Sequence, residues 1–339
     1  MQHQFHQSLS GTILVADDQE ENRELLEEFL SAEGFTVVAA ADGTSAIGQL
    51  ATNHIDLVLS DVMMPHLTGF EVCQRIKTNP ETQLIPVVLI TALSDKQDRL
   101  AGIRAGADDF LTRPVDRAEL LARVRSLLKL KFRTDELERA ESVLFALARS
   151  IEGKDPYTHG HCERLAGLCV DLGRLVGLSD EQITALRRAG VVHDIGKVAV
   201  PDAILLKPGR LTEDEWKVMK QHPIVGERIC APLKSFRPVL PIIRHHHEKF
   251  DGSGYPDGLR GHAIPIAARV MQIVDVFDAL TAERPYKKAF STPEALEIMR
   301  EEVAKGWWDP EIFRCFERLV GQEKVNRRAE GAAAGKSEL

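Results

Sequence analysis

The sequence predicts two domains of different class: an α/β doubly wound, five-stranded parallel sheet over residues 11–130, then an all-α helical domain over residues 146–320. Three observations carry this. Short β-branched runs alternate with amphipathic stretches as far as Thr112, and the strand signal stops near Ala118. A charged pattern with apolar residues seven apart then occupies residues 118–151 and joins the two textures.

The expected strands are Thr12–Ala16, Thr36–Ala40, Leu57–Ser60, Val87–Thr91 and Asp109–Thr112. Between them, Asn22–Ala32, Thr44–Thr52, Gly69–Thr78 and Lys96–Ala105 read as helices. Such alternation implies parallel βαβ units with right-handed crossovers. Over residues 118–151, Leu130, Leu137, Leu144 and Ile151 repeat with Leu127 and Leu147 beside them, while Arg133, Asp135, Glu136, Glu138, Arg139 and Glu141 fill the remaining positions. This suits a parallel coiled-coil linker in a homodimer; the alternative is an amphipathic helix lying on its own domain. Beyond it, Leu165, Leu168, Leu172 and Leu175 share one face of a helix that starts at His161. Residues 325–339 have little to bury and are expected to be disordered.

Composition narrows the function classes. A chain of 339 residues with 44% hydrophobic content can bury two cores, and a net charge of −8 argues against DNA as a partner. The five cysteines (Cys73, Cys162, Cys169, Cys230, Cys315) are odd in number and lack CxxC spacing, so neither a disulfide framework nor a thiolate zinc site is expected. No apolar run is long enough for membrane insertion and the polar start lacks a signal-peptide core, so a cytoplasmic location is expected.

Asp17-Asp18 follow the first strand and Asp61 the third. In a parallel sheet the carboxyl ends of the strands meet in one crevice, and clustered carboxylates there call for a hard cation such as Mg²⁺. Thr91 and Arg113 bring a hydroxyl and a cation to the same edge, a set suited to a carboxylate that accepts a phosphoryl group. With ILVADD, LVLSDVMMP, VLITA and DDFLTRP, residues 11–130 resemble the response-regulator receiver family. The resemblance implies phosphorylation of Asp61 by a cognate sensor histidine kinase, Mg²⁺ held with Asp17 or Asp18, Thr91 as the phosphate-sensing hydroxyl and Phe110 as the aromatic switch. Arg113 departs from the family's usual Lys, keeping the charge but adding bulk and a bidentate fork.

Eight of the twelve histidines lie between His159 and His262, several beside carboxylates. Imidazole and carboxylate donors without thiolate suit first-row metals. The run Val191–Lys197 places His193 and Asp194 at the end of an apolar helix, followed by a Gly and Lys197. Residues 245–248 read HHHE and lead into the turn-rich DGSGYPDG. Asp275 lies within an apolar helix, where an acid needs a partner, and is a stronger ligand candidate than Asp278. DPYTHGH, HDIGK, LKPGRLTEDE, HHEKFDGSGYPDG and IVDVFDALTAERPYK together resemble the HD-GYP family of cyclic di-GMP phosphodiesterases.

That resemblance implies His161, His193, Asp194, His222, His246, His247 and Asp275 as metal ligands, with Asp194 bridging. Lys197 would contact the scissile phosphate, Tyr255 would belong to the site's loop, and Arg284 and Lys287 would bind the ligand's phosphates. His245 falls outside the ligand pair. Family members with a third metal carry Glu where this chain has Tyr157, so two divalent metals are expected, Fe or Mn favoured and Zn compatible. The implied activity is metal-dependent hydrolysis of cyclic di-GMP to pGpG and then GMP, controlled by phosphorylation at Asp61. Two alternatives stay open: another cyclic dinucleotide as substrate, or a docking module for proteins such as cyclic-dinucleotide synthases.

Overall fold

The structure, a computed structural model, describes residues 10–91, 96–153, 160–282 and 289–321. The chain divides into two units, Met1–Ala140 and Glu141–Leu339. In the first, β1 (Thr12–Ala16), β2 (Thr36–Ala40), β3 (Leu57–Asp61), β4 (Val87–Thr91) and β5 (Asp109–Thr112) form one parallel sheet in the order β2-β1-β3-β4-β5. Helices α1 (Glu20–Ser31), α2 (Gly43–Thr52), α3 (Gly69–Thr78) and α4 (Lys96–Ala105) alternate with the strands, and α5 (Arg117–Glu152) follows β5.

Strand alternation divides this core in two. Ile13, Val15, Leu57, Leu59, Val88 and Ile90 pack with Leu26 and Leu30 of α1 and with Leu120, Val124 and Leu128 of α5. Leu14, Ala16, Val58, Val87 and Leu89 face the other way, onto Ala46, Val72 and Ile76 of α2 and α3. Strands covered on both faces read as unbroken apolar runs, which is why β3 and β4 stand out in the sequence. β3 runs one residue past the expected end, so Asp61 pairs with Ile90 as the strand's last residue. α1 starts two residues before the expected Asn22, because Glu20 and Glu21 favour a helix N-terminus that apolar spacing does not mark. Capping boxes start α2 (Asp42 with Ser45) and α3 (Thr68 with Glu71).

The second unit is helical: α6 (His161–Leu175), α7 (Asp180–Val192), a 3₁₀ turn (Ile195–Ala199), α8 (Asp202–Leu205), α9 (Glu213–Met219), α10 (His222–Cys230), α11 (Leu240–His245), α12 (Ile266–Thr281), α13 (Thr292–Ala304) and α14 (residues 310–321). Its core gathers Leu165 and Leu172 of α6, Leu186 and Val192 of α7, Ile242 and Ile243 of α11, and Ile273 and Val274 of α12. Leu175 at the end of α6 stays half exposed. Gly190 lets α7 touch α6: a Cβ there would meet the Ala166 Cα at 2.7 Å. The cysteines are free thiols; Cys169 is buried in the apolar core, whereas Cys162 is buried beside Glu152. Among the described residues, no helix is long and apolar enough to cross a membrane.

The seven-residue repeat of α5 does not pack as one seam. Leu144 and Ile151 join the core of the second unit, whereas Leu130 and Leu137 are 64% and 49% exposed. Drift of a straight helix, about 20° per heptad, is too small to separate Leu137 from Leu144; Leu144 and Ile151 fall within the second unit, whose core covers them. The expected tail, residues 325–339, lies outside the described residues. Leu144→Ala is expected to destabilise the second unit by about 2–5 kcal/mol and Leu130→Ala by about 0.5 kcal/mol or less, by denaturant titration. Equal costs would show that Leu130 is covered in solution.

Candidate functional site

The first unit assembles an acidic crevice where the strand order reverses between β1 and β3. Asp17, fully buried, accepts from the Gln19 N–H at 3.0 Å and Asn22 Nδ2 at 3.1 Å. Asp61 accepts from the Met63 N–H at 3.0 Å. Arg113 joins the two carboxylates: its Nη2 donates to Asp61 Oδ1 at 2.9 Å and also to Asp17 Oδ2. Burial raises the Asp61 pKa, with Arg113 pulling the other way. Thr91 is buried at the end of β4. Asp18, expected beside Asp17, points out to solvent. Phe110 is half buried and packs over Gly102 of α4, where a Cβ would come within 2.5 Å of the ring.

In the second unit, five elements deliver side chains to one place. His161 opens α6, His193 and Asp194 end α7, His222 opens α10, His246 and His247 follow α11, and Asp275 lies on α12. They form two groups, Asp194/His222/His246/His247 and His161/His193/Asp275, each with its donor atoms within 4.8 Å of one another. Asp194 sits at the join. Its Oδ1 is 3.2 Å from His222 Nε2 and 3.8 Å from His246 Nε2, while its Oδ2 is 3.4 Å from His193 Nε2 and 2.5 Å from Lys197 Nζ.

Backbone carbonyls aim the rings inward. His222 Nδ1 bonds the Met219 carbonyl at 2.8 Å and His246 Nδ1 the Ile243 carbonyl at 2.7 Å, leaving each Nε2 for the centre. His161 Nδ1 meets Asp278 Oδ2 at 2.5 Å, and Arg164 Nε holds the other oxygen at 2.9 Å. The sequence reading had the buried acid at Asp275. In the structure Asp278 is the more buried, at 6%, while the Asp275 side chain is 21% exposed, because Asp278 lies one turn further along α12, under His161.

Charge suits metal ligation. Burial of Asp194 is outweighed by Lys197 and His193, which hold its carboxyl well below the usual range. Burial pushes His246 down to about 4 and His247 also well below an ordinary histidine. For His193 the Asp194 carboxylate overcomes burial and raises the pKa. Neither ring nitrogen of His193 makes a well-formed hydrogen bond among the described residues, although the side chain is 1% exposed. An orphaned buried imidazole beside an ionised carboxylate fits a divalent metal, which would pair with both.

Comparison with known proteins agrees with this division. The response regulator receiver domain family matches residues 13–125, and the HD domain family matches residues 146–312. The cyclic di-GMP phosphodiesterase response regulator RpfG of Xanthomonas campestris is 37% identical over 335 residues, covering 92% of this chain and 88% of that protein. A cyclic di-GMP phosphodiesterase of Thermotoga maritima is 34% identical over 339 residues, covering 91% and 90%. The chain belongs to the response regulators that join a receiver to an HD domain. A narrower relative, the 3'3'-cGAMP-specific phosphodiesterase 3 of Vibrio cholerae, is 40% identical over 180 residues, covering 53% of this chain and 39% of that protein.

One wall of the HD-domain centre is the glycine-rich loop. Tyr255 stacks on His247 with centroids 4.9 Å apart, and its N–H donates to the His247 carbonyl at 3.1 Å. The loop is clamped by Glu248, fully buried, which accepts from the N–H groups of Asp257, Gly258 and Leu259 at 2.7, 3.1 and 3.0 Å. Arg244 grips Asp257 through Nε and Nη2 at 2.7 and 2.8 Å, and His245 Nε2 meets the same carboxylate at 2.9 Å. His245 therefore serves the loop and stands outside both ligand groups. Glu248 and Asp278 were missed as site residues; a charged residue directly after the paired histidines was the available signal for Glu248. Arg284, Lys287 and Tyr157 lie outside the described residues.

Gly196 makes the two histidine helices meet. A Cβ there would lie 1.9 Å from the His222 carbonyl and 2.6 Å from the Gly226 nitrogen. Gly196→Ala is expected to cost roughly 1–3 kcal/mol or more through overpacking and to weaken metal retention. Gly167→Ala in α6, where a Cβ meets nothing within 4 Å, is expected to stabilise by about 0.5–1 kcal/mol. Thermal melts and metal analysis of both variants check the contrast.

Proposed function

We infer that this protein is a two-component response regulator whose HD domain hydrolyses cyclic di-GMP, controlled by phosphorylation of its receiver. The observation that carries this reading is Asp194, placed between two ligand groups in a chain that matches cyclic di-GMP phosphodiesterase response regulators over nearly its whole length. Asp194, His222, His246 and His247 would hold one divalent metal and His161, His193 and Asp275 the other, with Asp194 at the join of the two groups. The nitrogen and oxygen donors favour Fe or Mn and admit Zn. When bound, two such metals supply a nucleophile at neutral pH and offset charge on the phosphate.

The protein's own side chains do the rest. Lys197 brings a cation to the scissile phosphate, and its contact with Asp194 keeps it at the join of the two groups. Tyr255 and its clamped loop shape the wall beside His247. Arg284 and Lys287 bind the phosphates of the ligand, as in the family the sequence resembles. The product is linear pGpG, and a second cut yields GMP.

In the receiver, a sensor histidine kinase would phosphorylate Asp61 with Mg²⁺ held with Asp17 or Asp18, of which only Asp17 is turned into the crevice, while Thr91, Phe110 and Arg113 read the added charge. Arg113 already bridges Asp17 and Asp61, so a phosphoryl group on Asp61 would take over a cation that the carboxylates now share. The exposed Leu130 and Leu137 of α5 suit a homodimer seam through which that change is passed on. Docking on cyclic-dinucleotide synthases is compatible with turnover.

A second reading keeps the chemistry and changes the nucleotide, and the 3'3'-cGAMP-specific relative favours testing it. Turnover of cyclic di-GMP and 3'3'-cGAMP should be measured side by side, with a higher kcat/KM expected for cyclic di-GMP; the reverse order would reassign the substrate. Asp194→Ala is expected to abolish metal loading and turnover together, and activity in a metal-free Asp194→Ala protein would sink the mechanism. A phosphoryl donor is expected to change the turnover of wild type but not of Asp61→Asn. Identical rates in all cases would remove phosphorylation as the control.

A further inference from the structure

Helix α6 carries His161 as its first residue, yet its own N-terminus has no side-chain cap. Gly160 occupies the cap position with φ 72° and offers no oxygen to the exposed N–H groups. The cap is supplied by α5. Glu152, the last residue of that helix, accepts the N–H of Cys162 at 3.2 Å through Oε1. The same carboxylate acts on Arg164: its charge adds to the bonds with Asp278 that raise the pKa of this guanidinium. Arg164 holds Asp278 at 2.9 and 3.2 Å, and Asp278 holds His161 Nδ1. Ile151 and Glu152 also line, with His161, His193 and Lys197, a small cavity beside the metal centre.

We propose that Glu152 is a positioning residue for the metal centre, fixing His161 through the Cys162 N–H and through the Arg164–Asp278 pair. The inference rests on the reading of His161, His193 and Asp275 as a metal site. Its physical basis is the economy of the His161 corner. His161 Nε2 stands 3.6 Å from Asp275, and its other nitrogen depends on Asp278, so ring and helix are both held from one side. The helix that ends at Glu152 begins at Arg117 in the other unit, so a change imposed on α5 would reach one metal ligand and leave His222, His246 and His247 in place.

The test uses full-length wild type, Glu152→Ala and Glu152→Gln, with two readouts: metal ions retained per chain after loading with Mn²⁺ and desalting, and amide exchange of Cys162 in the metal-free protein. Glu152→Ala is expected to lose one of the two ions and to exchange the Cys162 amide roughly tenfold faster, as a lost hydrogen bond would allow. In Glu152→Gln the amide oxygen still accepts, so Cys162 protection should be restored, while the lost charge on Arg164 still weakens retention of that ion. Wild-type ion count and Cys162 protection in Glu152→Ala would overturn the proposal. Should Glu152→Ala fail to fold, unchanged Mn²⁺ retention in Glu152→Gln at limiting metal would overturn it instead. Neither readout involves a nucleotide: wild type that holds both ions but leaves cyclic di-GMP intact overturns the substrate assignment alone, whereas wild type that binds no ion overturns both.

Discussion

Asp194 is an ionised carboxylate set among imidazoles, two of which, His246 and His247, burial keeps from charging. An acid in that position is stable only because Lys197 reaches it at 2.5 Å and the ring nitrogens of His193 and His222 face it. Those rings come from the end of α7 and the start of α10, so satisfying Asp194 forces the two helix ends together. Gly196 is the place where the backbone gives way to permit it, since a side chain there would collide with the His222 carbonyl. Much of the second unit's packing follows: α11 must present His246 and His247 to the same point, and α12 must bring Asp275 and Asp278 against His161.

The first unit solves a related problem with different parts. Asp17 and Asp61 stand together because β1 and β3 are parallel neighbours whose carboxyl ends lie on the same edge, where the strand order reverses, and two carboxylates so close repel unless a cation intervenes. Arg113 supplies it, bound to both. Its planar fork can bridge two acids where a Lys would offer a point charge, so the departure from the family's usual residue has a geometric consequence. The two units thus both organise around acid that is costly until a cation meets it, the Arg113 guanidinium in one and the Lys197 ammonium in the other.

What could be read in advance followed local periodicity and short motifs. β3 and β4 were legible as unbroken apolar runs because both faces are covered, and α3 because its apolar face and capping box coincide with its ends. The beginning of α1 was less legible, since its first turn is acidic and exposed. The ligand candidates came as a set from the family resemblance, and the structure brings their side chains together in two groups. Asp275, the expected ligand, lies in the group with His161 and His193, whereas Asp278, not Asp275, is the more buried of the two. One helical turn separates them, and only the position of α6 decides which carboxylate lies under His161.

By itself, the sequence determined the class of each unit, the order of strands and helices, and the inventory of acids and imidazoles, because these depend on residue type and spacing along the chain. Tertiary structure decided what depends on elements meeting: that Asp194 joins the two ligand groups, that Glu248 gathers three N–H groups of the loop behind Tyr255, and that Leu144 is core while Leu130 is exposed. The helical repeat is blind to such differences. A heptad records which residues share a stripe, but the partner that covers the stripe changes along α5, and with it the fate of each leucine.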